Sequence, residues 1–67
     1  MKKTRLAIQR ERSGKTQIQI ADEAKISVRL YQRYEYGTSV PNVRTALRIA
    51  DALGTTVEEI FKGEENR

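Results

Sequence analysis

The segment Thr16 to Gly37, TQIQIADEAKISVRLYQRYEYG, constrains the fold most, because start and stop signals divide it into pieces too short to fold alone. Thr16 and Gln19 have the Thr-x-x-Gln spacing of a reciprocal capping box, which opens a helix at about Gln17. That helix runs to about Ala24. Lys25, Ile26 and Ser27 form a turn, Ser27 caps a second helix from Val28 to about Tyr36, and Gly37 ends it. The inward positions of the first are Ile20, Ala21 and Ala24, and the small Ala21 and Ala24 admit a second helix axis at close range.

The second helix has two faces. Leu30, Tyr31 and Tyr34 share one stripe, read as core, while Arg29, Gln32, Arg33 and Tyr36, spaced i, i+3, i+4, i+7, share the opposite one, with Val28 a turn before Gln32. Burying unpartnered guanidinium groups costs several kcal/mol on the order of a lost charge solvation, so the Arg/Gln face points outward. Base edges in a DNA major groove match this chemistry: arginine forks to guanine, glutamine bridges adenine, and an aliphatic group touches the thymine methyl. Two arginines and a glutamine also describe the solvated face of any amphipathic helix. The rest of the chain bears on that choice.

Beyond the loop Gly37 to Val40, Pro41 precedes an Asn42 N-cap, and a helix is predicted from Val43 to Leu53, ended by Gly54. Its apolar residues, Val43, Ala46, Leu47, Ile49, Ala50 and Leu53, make a wide stripe expected to pack against several helices at once. Thr56 and Glu59 form another capping box, opening a short helix with Val57, Ile60 and Phe61 at i, i+3, i+4. A first helix near Leu6, Ala7 and Ile8 has a thin stripe with its apolar residues clustered. The basic start MKKTRL reads as an arm, and Gly63 to Arg67 as a frayed tail.

With 67 residues, there is room for one core and no second domain, so residues 1–67 are read as a single domain with an ordered core at about 4–62. No cysteine or histidine is present, which removes disulfides, thiolate metal sites and the commonest general base and zinc ligand. Neither a metal nor a cofactor is expected. The glycines stand singly at 14, 37, 54 and 63 and form no phosphate loop, and the paired acids Asp22/Glu23 and Glu58/Glu59 read as solvated. Together these points argue against an enzyme. No signal-peptide pattern or long apolar run appears, so a cytoplasmic location is expected. The net charge of +4 is uneven: up to Arg33 nine basic residues face three acidic ones, a balance of +6, and beyond it four face six, a balance of −2. That asymmetry suits a molecule with one side turned toward phosphate, although basic faces also serve solubility, RNA or anionic lipid.

The Thr16 to Gly37 motif resembles the DNA-binding helix-turn-helix of phage lambda-type repressors, Cro proteins and their bacterial relatives, the XRE-like family. Gln17, Ala21, Ile26, Ser27, Tyr34, Glu35 and Gly37 fall where that pattern has comparable residues, and PNVRTALRIADALGTTVEEIF resembles its last two helices. The likeness covers roughly Leu6 to Phe61. Departures are Lys25, where the family has a left-handed glycine, and Gln9 and Lys15, where apolar residues are common. The resemblance implies an all-α bundle of five short helices, with helices 2 and 3 forming the motif, that binds double-stranded DNA as a transcriptional regulator, and a repressor is expected.

By the same resemblance, Val28, Arg29, Gln32 and Arg33 face bases, with Arg33 an equal candidate for phosphate. Gln17 grips the DNA backbone, and Ser27 does the same or only caps. Lys15, Tyr36, Asn42 and Arg44 are further backbone candidates, the last two through amides opening the fourth helix, with Tyr36 otherwise an incidental surface aromatic. Arg10 and Glu35 are implied to form a structural ion pair between helix 1 and the recognition helix. The last helix often forms the family's dimer contact, so Val57 and Phe61 are candidates for a homodimer interface, against the alternative that they only close the core. A homodimer would read an inverted repeat with half-sites about 10 base pairs or a multiple apart. The competing function is an antitoxin-like protein-interaction module that binds DNA mainly with a partner protein. RNA binding is disfavoured because few aromatic residues are free to stack on unpaired bases.

Overall fold

The computed structural model describes residues 3–61. Five α-helices and no strands occur among them: α1 Arg5–Ser13, α2 Gln17–Glu23, α3 Val28–Tyr36, α4 Val43–Leu53 and α5 Val57–Phe61. Side-chain oxygens set the helix starts. Thr4, Thr16, Ser27 and Asn42 each accept from the backbone N–H three residues on, and at α2 the Gln19 side chain also accepts from Thr16 N, completing the capping box. At the start of α5, Glu59 N donates to Thr56 Oγ1 at 3.2 Å, but the expected capping box is only half formed: Glu59 Oε1 pairs with Arg5 Nη2 and its side chain accepts no bond from Thr56 N.

The helices close around Leu6, Ile20, Tyr31, Ile49 and Ile60, all fully buried. Ala21 and Ala24 are buried where α2 meets α3, and their single methyl groups allow the close crossing. α4 packs behind α2, while α5 seals the far side against α1 and α4.

Three further expectations change. The start MKKTRL is not all arm: Thr4 caps α1, Arg5 is helical and Leu6 is wholly buried. Thr4 does more than cap, since its hydroxyl donates to the Glu35 carbonyl at 2.6 Å and pins the start of α1 to the end of α3. The α4 stripe is narrower than its composition suggests: Ala46, Ile49, Ala50 and Ala52 are buried and Leu53 half-buried, but Val43 and Leu47 are 75% and 53% exposed. One turn apart, they lie beside the buried arc rather than on it. Finally, α2 stops at Glu23 with Ala24 as its cap. The expected frayed tail lies outside the described residues.

The turn is tight. Ile26 N donates to Ala21 O at 3.0 Å and Lys25 N to Asp22 O at 3.1 Å, the six-to-one pattern that closes a helix through a left-handed residue. That residue is Lys25, at φ 64°, the one non-glycine with positive φ among the described residues. Gly37 does the same for α3 at φ 83°, with Thr38 N donating to Arg33 O.

Candidate nucleic-acid interface

Glu35 is the centre from which the candidate surface is built. Its side chain is 4% exposed yet carries a charge, which demands donors on every side. Arg10 Nε donates to Oε2 at 2.7 Å, Tyr31 Oη to Oε2 at 2.8 Å and Gln17 Nε2 to Oε1 at 2.7 Å. Burial pushes the Glu35 carboxyl up, but hydrogen bonds from Arg10, Gln17 and Tyr31, with the Arg10 charge, more than reverse this and hold it below the usual range. The hydrogen bond to Glu35 raises the Arg10 guanidinium further, and burial pushes the Tyr31 phenol far up. One carboxylate thus joins α1, α2 and α3. Arg10 also donates to Lys15 O at 3.0 Å, fixing the loop before α2.

On this base stands the outward face of α3. Arg29 and Arg33 are exposed, Val28 is at the edge of exposure, and Gln32 is half-buried with its Nε2 donating to Gln17 Oε1 at 3.0 Å. Tyr31 and Tyr34 are buried behind them. Tyr36 is 66% exposed and lines a groove with Lys3, Thr4, Ala7, Glu11 and Thr38 on the α1 side.

The remaining candidates separate by what already holds them. The Ser27 hydroxyl accepts from Leu30 N at 3.1 Å, so its own proton is left to donate. Asn42 Oδ1 accepts from Thr45 N at 2.9 Å, so its role at the start of α4 is that of a cap, beside an exposed Arg44. Lys15, a candidate for the DNA backbone, has internal partners: its ammonium donates to Ala52 O at 2.8 Å and pairs with Glu23 at 3.1 Å. A cation on the last turn of α4 satisfies an orphan carbonyl and favours the negative end of the helix. Val57 and Phe61 are half-buried against the core.

The charge asymmetry of the sequence also takes a different form in three dimensions. Lys3, Arg5, Arg10 and Lys15 are ion-paired with Glu11, Glu59, Glu35 and Glu23. Arg29 and Arg33 have no such partner among the described residues. Among the described residues, the unneutralised cations of the basic half are therefore Lys25, Arg29 and Arg33 of the motif, together with Arg12.

Residues 6–60 match the model of the helix-turn-helix family HTH_3. The chain belongs to that family. Its members of the lambda-repressor type are DNA-binding regulators rather than enzymes. The chain is 45% identical over 58 residues to the cryptic phage CTXphi transcriptional repressor RstR of Vibrio cholerae, a match covering 87% of this chain and 52% of that protein. It is also similar to ComR of S. thermophilus, solved in complex with DNA and its signalling peptide ComS, at 28% identity and a TM-score of 0.75 over 94% of this chain and 21% of ComR. The chain thus spans about half the length of the repressor and about a fifth of ComR.

Several parts of this helix-turn-helix domain escape sequence reasoning. The hydrogen bonds of Gln17 to both Glu35 and Gln32 join residues from different helices, and no local spacing reveals them. Tyr31 and Glu35, four apart, did carry a signal, since a phenol one turn from a carboxylate on a buried face is placed to donate to it. Among the described residues, no group of three or more potential ligands forms a metal site, and no helix is long and apolar enough to cross a membrane.

Proposed function

We propose that this chain is the DNA-binding part of a transcriptional repressor that acts as a homodimer on an inverted repeat in double-stranded DNA. The observation that carries this reading is the outward face of α3. Arg29 and Arg33 stand exposed, with no ion-pair partner among the described residues, beside Val28 and an anchored Gln32, whereas four other cations are internally paired. Left as they are, they suit guanine edges or phosphates. Gln17 opens α2 beside them, and Ser27, Tyr36, Asn42 and Arg44 mark the flanks where a backbone would run, with Lys15, tied to Ala52 and Glu23, a further backbone candidate. The similarity to a phage repressor supports the same reading.

One domain offers only four base-reading side chains, too few for a long site. A second copy docked near α5, where Val57 and Phe61 retain partial exposure, doubles the contact and imposes twofold symmetry on the site.

Selection from randomised duplexes tests the proposal and should return a pseudo-palindrome with half-sites about 10 base pairs or a multiple apart. Arg29→Ala should then relax preference at one base pair per half-site by about 1–3 kcal/mol. Recovery of an asymmetric or unpaired consensus, or an equal loss on every duplex from Arg29→Ala, would refute it.

A further inference from the structure

Gln32 is not free to choose which end of its amide it shows. Its Nε2 donates to Gln17 Oε1 at 3.0 Å, and Gln17 Nε2 donates to Glu35 Oε1 at 2.7 Å. An amide alone can turn over, exchanging donor and acceptor, but an ionised carboxylate only accepts. Turning the Gln17 amide would set its oxygen against a carboxylate oxygen within hydrogen-bond distance, with no proton between them. Nor can Glu35 rotate away, because Arg10 and Tyr31 also donate to it. Gln17 must therefore face Glu35 with nitrogen and Gln32 with oxygen. Gln32 must answer with nitrogen. Its own Oε1 then has no partner among the described residues, and one Nε2 proton remains.

We propose that Glu35 is a positioning residue for base readout, which acts through Gln17 to fix Gln32 as a hydrogen-bond acceptor toward DNA. An acceptor fixed in this way selects a base with an amino group in the major groove, adenine through N6 or cytosine through N4. It disfavours guanine and thymine, which present O6 and O4 there. The remaining Nε2 proton is compatible with adenine N7. A glutamine without this anchor turns over and serves either class. The buried charge therefore enters specificity without touching DNA. This inference rests on the DNA-binding reading above.

The test uses Gln17→Met, which keeps length and packing but removes both hydrogen bonds, in two measurements. The first, on the free protein, is the NMR signature of the Gln32 side-chain amide. The wild type should show two well-separated Nε2 proton shifts with one proton protected from exchange, and Gln17→Met should bring both to free-glutamine values. Free-glutamine behaviour in the wild type overturns the relay whether or not the protein binds DNA. The second is competition binding on duplexes that vary only at the base pair sensitive to Gln32→Ala. Gln17→Met should reduce the preference for adenine or cytosine there about two- to tenfold, the effect of releasing one ordered side chain, and leave the Arg29 position unchanged. In a Gln32→Ala background it should change no preference. A uniform loss across all duplexes would overturn the positioning role and leave Gln17 as a backbone grip alone. An NMR-intact relay in a protein with no duplex preference would instead refute the DNA-binding reading, and the readout with it.

Discussion

Replacing Lys25 by glycine should stabilise the domain. Lys25 sits at φ 64°, where the Cβ of an L-residue crowds the following carbonyl at roughly 1–2 kcal/mol. Glycine removes that crowding but gives the unfolded chain more freedom, worth roughly 0.5–1 kcal/mol against it. The net gain is about 0.5–1 kcal/mol. Little opposes it, because Lys25 is exposed and its side chain makes no hydrogen bond or ion pair among the described residues. Its charge follows the end of α2 and precedes the start of α3, so the two helix dipoles act on it in opposite senses. For a domain of this size the gain corresponds to a rise in Tm of about 2–8 °C, readable by circular dichroism and by urea unfolding at unchanged m-value. Lys25→Ala is the decisive control, since it removes the charge and keeps the Cβ. The expected order is Gly above Asn, with Lys and Ala level below. An equal gain from Ala would trace the effect to charge, and a loss from Gly would refute the assignment of strain to this turn.

Two further outcomes follow from the core. Because the native Glu35 carboxyl lies below its ordinary range, its contribution to stability is complete above about pH 4.3 and is lost as pH falls through the lower native value. Glu35→Gln should cost about 3 kcal/mol near neutral pH and flatten the acid limb, as measured by urea titration from pH 7 to 3 with sulfate added to keep the variant folded; an unaltered acid limb would exclude Glu35 as its source. Ala21→Leu should cost about 1–3 kcal/mol by forcing α2 from α3, while Ile18→Ala on the same helix, at a residue 69% exposed, should stay within about 0.5 kcal/mol. Equal losses at the two positions in thermal melts would contradict the close crossing.

The helix starts were legible because each rests on a local side chain: Thr16, Ser27, Asn42 and Thr56 act on backbone groups within one turn. The two faces of α3 were legible for the same reason, periodicity being a local property. α1 was less so, because it is held by few apolar residues and several long-range polar ties, Thr4 to Glu35, Arg5 to Glu59 and Arg10 to Glu35. The exposure of Val43 and Leu47 could not be read from a stripe, since the period fixes direction but not how much of the arc neighbours cover. Lys15 resembled a phosphate ligand by position, and only the fold brings the end of α4 beside it. The same limit hid the Gln17 link between Glu35 and Gln32, which depends on two helices meeting at one level.

The four ion pairs tied to Lys3, Arg5, Arg10 and Lys15 bear on how the domain meets salt. A cation already facing a carboxylate has little field to offer an anionic surface and displaces few ions from it, so the +4 of the composition misstates the charge available for docking. On a polyanion, each phosphate neutralised contributes about 0.9 to the slope of log affinity against log salt. Among the described residues, the domain's salt sensitivity is thus set by the cations left unpaired, Arg29 and Arg33 on α3 with Arg12, Lys25, Arg44 and Arg48 elsewhere, and its ionic cross-links make it a more selective polycation than its sequence implies.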